Sequence, residues 1–399
     1  MSPTVLHVTP YMAAEAGGPP VVVDRLARRA RAHGYTAQVL TTASYTSDGG
    51  AALAQRMPAM ALLPSQRAAL TGIGRQSVVR AVDSADIVHL HTLWSPLVAT
   101  AARAARRRGV PYILAMHGML DPWSMEQKGL RKRIYWTLVE RQVAEGATRL
   151  VYTTRLERER ATGRLGHQAA SAILPLGADA PPAPPLELAA EFFAGHPGLA
   201  GRPLLLFLGR LHPKKRPEAL IAALPSLRAA HAQATAVFVG TGPSEAGLRA
   251  QAAAAGLGIL DPQRNQTKHG SDAAVAFLGH LEGRTKWQAL AAATLFALPS
   301  RQENFAIAVA EALRCGVPCL LTPEVAIADQ VIAAGAGRPL DPADPVSSLA
   351  AQSAALLDCP AERAKAAAAA TALAERAFTW PSCARATYAL YDEILARNP

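Results

Sequence analysis

Cysteine is scarce in this sequence. The four residues Cys315, Cys319, Cys359 and Cys383 form no Cys-x-x-Cys pair, and four in 399 residues are too few for a disulfide framework. A disulfide scaffold and zinc-finger spacing are thereby excluded, and a reducing compartment is expected. Aromatic residues make up only 5%, so any core must be built from Ala, Leu and Val. No apolar run approaches the ~18–20 residues needed to span a bilayer. The opening MSPTVLHVTPY has no cationic start followed by an apolar core. Neither a membrane span nor a signal peptide is expected, and the expected location is the cytoplasm, with any membrane contact peripheral. Asp-x-Asp, a common metal-binding signature, is missing throughout, and no cofactor or metal is expected.

What is present is length, apolar content and an uneven charge. The 399 residues suit two domains, and a hydrophobic fraction of 50% is enough for two cores. The net charge of +11 sits mainly in the first half: residues 1–180 carry 22 Lys and Arg against 12 Asp and Glu. A basic half favours an anionic partner, such as nucleic acid, anionic lipid or a phosphorylated substrate; solvated Arg on helix faces is the other reading.

Short apolar runs alternate with helical patterns. Strands are expected at 4–9, 37–42, 86–91, 112–116, 149–153 and 172–175, and again at 203–208, 235–239, 275–278, 295–298 and 318–322. Helices are expected between them, for example over 20–33 and 96–108. This alternation predicts an α/β chain of two Rossmann-like, doubly wound domains facing each other across a cleft. The Pro- and Gly-rich stretch 177–185 reads as the start of a linker over 179–200, between domains 1–178 and 201–378. The polar stretch 258–273 is long for a helix-to-strand connection and reads as a surface insertion.

Ligands of such sheets bind beyond the carboxyl ends of the strands, so the loops there carry the chemistry. Gly17-Gly18-Pro19-Pro20 follows the first strand and opens a helix, where free N–H groups favour anions, although a structural turn is equally served. It is not Gly-x-Gly-x-x-Gly, so the dinucleotide fingerprint fails. Gly209-Arg210 with Lys214 and Lys215 crowds one glycine and three cations past a strand end, a set suited to a diphosphate. Gly240-Thr241-Gly242-Pro243 lets a backbone approach closely. Glu303 and Glu311 lie eight residues apart, about 12 Å along a helix, where two carboxylates can grip hydroxyls at two ends of a nucleotide sugar. Glu311 stands in the apolar stretch AIAVAEALRCG, where an unpaired carboxylate is costly.

These loops, in this order, resemble glycosyltransferase family 4, the retaining GT-B enzymes that include those building bacterial exopolysaccharide and O-antigen. Glu303–Glu311 resembles that family's Glu-x7-Glu motif, GRLHPKK its diphosphate loop and GTGP its nucleotide-side turn. His117-Gly118 resembles a turn on the acceptor side. The resemblance implies a GT-B fold, with 379–399 crossing back onto the first domain. It implies that Arg210 and Lys215, with Gly209, Gly240 and Gly242, hold the donor diphosphate and nucleotide. Glu311 would bind the ribose and Glu303 a sugar hydroxyl, with the Asn304, Phe305 and Ala306 backbone beside that sugar. His117 would lie at the reacting centre and Gly17–Gly18 over the phosphates. Two residues depart from the pattern: Arg216 and Ala306 stand where glycines are common.

The expectation is a hexosyltransferase using a UDP- or GDP-sugar and a lipid-diphosphate-linked or oligosaccharide acceptor. Lys128, Arg131, Lys132, Arg133 and Trp136 cluster in an expected helix suited to the cytoplasmic face of an anionic inner membrane. Two rivals are a nucleotide-sugar epimerase of the same fold and a basic nucleic-acid-binding protein. The second lacks a continuous basic run or an aromatic–basic RNA signature, so no nucleic-acid partner is expected.

Overall fold

The computed structural model of the chain describes residues 2–13, 18–44, 60–126, 129–165, 170–261, 266–268 and 273–397. It divides into two compact units, Met1–Leu176 together with Trp380–Pro399, and Gly177–Thr379.

The first unit is built on seven strands: β1 Thr4–Val8, β2 Thr36–Thr42, β3 Met60–Leu63, β4 Ile87–His91, β5 Tyr112–Ala115, β6 Arg149–Tyr152 and β7 Ser171–Ile173. All pair in parallel in the order β3-β2-β1-β4-β5-β6-β7. Every residue of β4 and β5 is buried, as a sheet covered on both faces requires. The helix Pro96–Arg108 shows how sequence sets an element. The Ser95 hydroxyl caps its start by accepting from the Val98 N–H, Pro96 opens the first turn, and Gly109 closes it at φ 73°. Leu97–Ala102, Ala104 and Ala105 are all buried, so this helix is enclosed nearly all round and its small alanines let neighbouring elements approach closely.

The second unit has eight strands: β8 Leu204–Leu208, β9 Thr235–Val239, β10 Gly258–Asp261, β11 Gln266–Lys268, β12 Ala273–Phe277, β13 Leu295–Leu298, β14 Cys319–Leu321 and β15 Gly337–Pro339. Their order is β11-β10-β12-β9-β8-β13-β14-β15. Only β11 runs antiparallel, against β10. Without β10 and β11, the six remaining strands repeat the 3-2-1-4-5-6 order of the first unit's opening strands, the doubly wound arrangement.

Each expected strand has a counterpart. Four observed strands were not expected: β3, β10, β11 and β15. β3 and β15 are short edge or near-edge pieces, half exposed or interrupted by Gly and Pro, and such segments lack a long apolar run. Strands β10 and β11 occupy much of 258–273, so this stretch adds strands to the sheet and is not simply a surface loop. The helix expected over 20–33 ends at Ala27. A 3-10 turn Ala30–His33 follows, closed by Gly34 at φ 80°. Part of the stretch 179–200 is the helix Pro185–Gly195, which buries Leu188 and Phe192 within the second unit. There Glu187 and Glu191 accept hydrogen bonds from Arg284.

The first unit is completed by the last helix, Trp380–Ala396. Trp380, Tyr388 and Tyr391 are among the largest fully buried side chains. The Tyr35 hydroxyl donates to Asp392 (2.7 Å), and the Tyr388 hydroxyl donates to the Leu26 carbonyl (3.0 Å). That carbonyl also accepts from the Arg29 N–H (2.9 Å), so it keeps a partner if the hydroxyl is removed. Tyr388→Phe is therefore expected to cost about 1 kcal/mol. The check is the urea midpoint of the first unit's transition; no shift would show that the bond contributes nothing.

Candidate active site

In the second unit the strand order reverses between β8 and β13, so the loops after these two strands part and leave a crevice at their carboxyl ends. Most of the expected donor-side residues gather there. After β8 come Gly209, the exposed Arg210 and a single 3-10 turn, Pro213–Lys215. After β13 come Ser300 to Ala306 and then the helix Ile307–Arg314. Lys215 Nζ lies 2.6 Å from Glu303 Oε1, across the point of reversal. The Arg301 N–H donates to the Lys214 carbonyl (2.8 Å), tying the same two loops through their backbones. Burial pushes the Glu303 carboxyl up. The Lys215 and Lys214 charges and hydrogen bonds from Lys215 and Ser300 outweigh it and hold the group below the usual carboxylate range.

The loop after β9 lies alongside. The Gly209 N–H donates to the Val239 carbonyl (2.9 Å) and the Leu211 N–H to the Thr241 carbonyl (2.9 Å). Gly240 adopts φ 129°, and a Cβ there would stand 2.1 Å from the Gly209 carbonyl oxygen. Only glycine permits that approach. Gly242 faces the Leu211 carbonyl in the same way. Glu311 is buried on the helix Ile307–Arg314, as its apolar surroundings foretold, and it is paired: Lys286 Nζ sits 2.6 Å away. Phe305 turns its ring into the core, edge-on to Phe378 at 5.5 Å, which leaves only its backbone toward the crevice loop.

His117 belongs to the first unit, in the turn after β5. The neighbouring Gly118 N–H donates to Glu157 Oε1 (2.6 Å), and Glu157 Oε2 accepts from the Thr153 N–H (2.6 Å). A buried carboxylate therefore fixes the turn. Behind it lies a group that sequence reading missed, His7, His89 and His91. The signal was the alternation His89-Leu-His91 on a strand, which puts two imidazoles on one face, and β1 places His7 opposite His89. Glu140 was missed too. Its Oε1 accepts from the Trp94 N–H (2.7 Å), and burial raises its carboxyl to about 7 against the backbone hydrogen bonds and Arg103.

Five described non-glycine residues have positive φ: Thr92 (72°), Trp94 (63°), His117 (51°), Arg216 (48°) and Ala306 (61°). All lie past the carboxyl end of a strand, in the loops following β4, β5, β8 and β13. Such strain concentrates where function fixes the backbone. Arg216 and Ala306 are the two positions where the family pattern favours glycine. The left-handed backbone is kept and the glycine is not.

The basic segment sits on the helix Gly129–Tyr135 and the following π-helical turn Trp136–Glu140. Gly17 and Lys128 lie outside the described residues, and Gly18 begins the helix Gly18–Ala27. Arg131 and Arg133 face solvent. Lys132 and Trp136 do not. Lys132 donates to the Ser124 carbonyl and lies over the Trp94 ring, while Trp136 packs against the core. The outward apolar groups are Leu130 (74% exposed), Ile134 (53%) and Leu138 (65%), four residues apart. No helix of the described residues is long and apolar enough to cross a membrane.

Two outcomes follow for the second unit. Lys215→Ala leaves a largely buried carboxylate without its counter-ion and is expected to cost about 3 kcal/mol at pH 7, with part recovered in Lys215→Ala/Glu303→Gln. Because the folded-state pKa of Glu303 is lowered, its contribution is present above the ordinary carboxylate range and is lost as pH falls through the lowered value. Thermal denaturation from pH 7 down to pH 3 checks this, and a pH-independent difference would contradict it. For Ala306→Gly, relief of the left-handed backbone is worth about 1–2 kcal/mol, against glycine's extra chain entropy of about 0.5–1 kcal/mol. A net gain of about 0.5–1 kcal/mol is expected in urea denaturation, whereas Ala306→Val should lose stability.

The comparisons with known proteins bear on the family and the fold of the chain. Residues 202–359 match the family model described as glycosyl transferases group 1, and residues 17–177 match the glycosyl transferase 4-like domain, together about four fifths of the chain. A glycogen synthase of Mycobacterium tuberculosis is 32% identical over 199 residues, covering 50% of this chain and 44% of that protein. A D-inositol 3-phosphate glycosyltransferase of Xylanimonas cellulosilytica is 29% identical over 353 residues, covering 84% of this chain and 79% of that protein. Of the glycogen synthase, then, the matched stretch spans less than half the length. The crystal structure of Anabaena HepE in complex with UDP and glucose is 18% identical with a TM-score of 0.75, covering 98% of this chain and 99% of that one, and it shares the fold. With both of its units matched and the GT-B fold in common, the chain belongs to glycosyltransferase family 4.

Proposed function

We propose that the chain is a retaining hexosyltransferase that takes its sugar from a UDP- or GDP-sugar and passes it to a lipid-linked or saccharide acceptor in bacterial surface or exopolysaccharide synthesis. The observation that carries this reading is the Lys215–Glu303 pair at the strand-order reversal, beside Arg210 and the two glycine turns. A departing nucleoside diphosphate develops negative charge, and Arg210 and Lys215 are cations suited to stabilising it. Lys215 and Glu303 are each other's counter-ion. A diphosphate offers Lys215 a second anion, so Glu303 can turn to a sugar hydroxyl. Lys286 holds Glu311 in one orientation for the ribose hydroxyls. Protein cations take the diphosphate in this scheme, and no metal is required by it. The scheme uses no protein nucleophile: the acceptor hydroxyl attacks from the face that the diphosphate leaves, and its proton passes to the departing diphosphate.

The acceptor side is read as working at an anionic membrane surface. Arg131 and Arg133 supply charge, and Leu130, Ile134 and Leu138 form an apolar stripe of the kind that enters the headgroup boundary.

Calorimetric titration with a panel of UDP- and GDP-sugars tests the donor reading. One donor should bind in the micromolar range, and Lys215→Ala and Glu311→Ala should each weaken it by about tenfold or more. Donor binding unaffected by either substitution would remove the assigned site. An isomerised nucleotide sugar formed without acceptor would instead mark an epimerase. For the membrane reading, co-sedimentation with anionic vesicles should be lost in a Leu130→Ser/Ile134→Ser/Leu138→Ser variant. Failure of the unaltered chain to bind at low salt would refute it.

A further inference from the structure

Four imidazoles line up behind the turn that carries His117. His117 Nε2 lies 3.2 Å from His91 Nδ1, and His91 Nε2 lies 3.1 Å from His7 Nδ1. His89 stacks on His91 with ring centroids 4.0 Å apart, and its own Nδ1 is 2.7 Å from the Tyr391 hydroxyl of the last helix. His7, His89 and His91 are buried. Burial pushes His7 down to about 3 and His117 to about 4, and it holds His89 and His91 well below the usual range, with neighbouring imidazoles adding to the effect. The rings are therefore neutral at physiological pH.

A neutral imidazole has one N–H and one bare nitrogen. His91 must donate at one end and accept at the other, so the three-ring chain has only two arrangements. With its proton on Nδ1, His91 donates to His117 Nε2, and His117 carries its own proton on Nδ1. His91 Nε2 then accepts from His7 Nδ1, and the chain ends inside the protein on a bare His7 Nε2. With the proton on His91 Nε2, every bond reverses and the chain ends on a His7 Nε2–H. His7 Nε2 is buried and has no partner. A buried N–H without an acceptor is the rarer and costlier ending, so the first arrangement is favoured.

The donor nitrogens of His7, His89 and His91 also come within 4.8 Å of one another, a spacing that would admit a metal ion. Both nitrogens of His91 are already engaged, one by His117 and one by His7. The hydrogen-bonded chain and a three-histidine metal centre exclude each other.

We propose that His91, backed by His7, is a positioning residue that holds His117 as its Nδ1–H tautomer, so that His117 presents a hydrogen-bond donor and not a base. The value of this donor to sugar transfer rests on the function proposed above; the tautomer itself does not. His117 in this form can direct a sugar or acceptor hydroxyl through its lone pair, and it cannot take that hydroxyl's proton at Nδ1.

The test is nitrogen-resolved NMR of the full chain labelled with 15N in its 11 histidines, with His117 assigned through His117→Gln. At pH 7, His117 should appear as a neutral ring protonated at Nδ1. In His91→Phe it should shift to the Nε2–H form or a mixture. His91→Asn, which keeps an N–H near the Nδ1 position, should restore the original signal. An Nε2–H His117 in the unaltered chain overturns the proposal, whether or not His91→Phe folds. So does a His117 signal unchanged in a folded His91→Phe, or one tightly bound metal equivalent in the purified protein. Once a donor and acceptor are known, His91→Phe should lower kcat on the order of tenfold, the scale of one lost hydrogen bond. Expected tautomers without any transfer activity would remove the enzymatic reading and leave the assignment of His91 standing.

Discussion

Parallel strands buried on both faces leave polar chemistry one place to go, the ends of the strands. The central strands of the second sheet obey this constraint, whereas the first sheet admits His7, His89 and His91 within its strands as buried, neutral rings, with His7 Nδ1 and His91 Nε2 3.1 Å apart. The central strands of the second sheet are apolar runs, so no charged group can sit along them without a partner. In the second unit Lys215 and Glu303 stand in the loops past β8 and β13. There, the reversal of strand order holds the loops apart and the Lys215–Glu303 pair draws them together. The interaction is short, largely buried and charge-assisted, so it fixes loop positions more firmly than exposed ion pairs do.

The same pairing recurs at other buried carboxylates among the described residues. Glu311 has Lys286, Glu157 has the Gly118 and Thr153 amides, and Glu140 has the Trp94 amide. The Glu157 and Glu140 carboxylates thereby tie down loops that follow strands of the first sheet.

Most of the strand–helix alternation was legible, because two-sided burial writes itself as apolar runs bounded by glycine. The motif from Glu303 to Glu311 was legible for a different reason: a carboxylate inside AIAVAEALRCG contradicts its surroundings unless something pairs with it. What escaped was short or composite. The strands β3 and β15 are edge fragments with mixed burial, and β10 and β11 lie in a polar stretch that no apolar run announces. The His7–His89–His91 group escaped because its members come from two strands, brought together only by register. Arg216 and Ala306 looked like losses from a glycine pattern. The structure shows that the backbone conformation persists beneath them, at the cost of strain. The outward face of 129–140 was also misread in part, since Lys132 and Trp136 are as amphipathic as the residues that do face solvent, and composition does not say which way they turn.

The return of the last helix to the first unit sets an order of assembly. A ribosome that has completed residue 176 has made every strand of the first sheet, but not the helix that buries Tyr35 and contacts His89. The second unit, Gly177–Thr379, must be synthesised before that helix emerges. At ~5–20 residues per second this is an interval of roughly 10–40 s. Through it the nascent first unit carries an uncovered apolar face, and a chain broken off before residue 380 keeps that face for good. Burial of Trp380, Tyr388 and Tyr391 thus doubles as a record that translation reached the end of the second unit, and it leaves incomplete chains marked for chaperones and proteases.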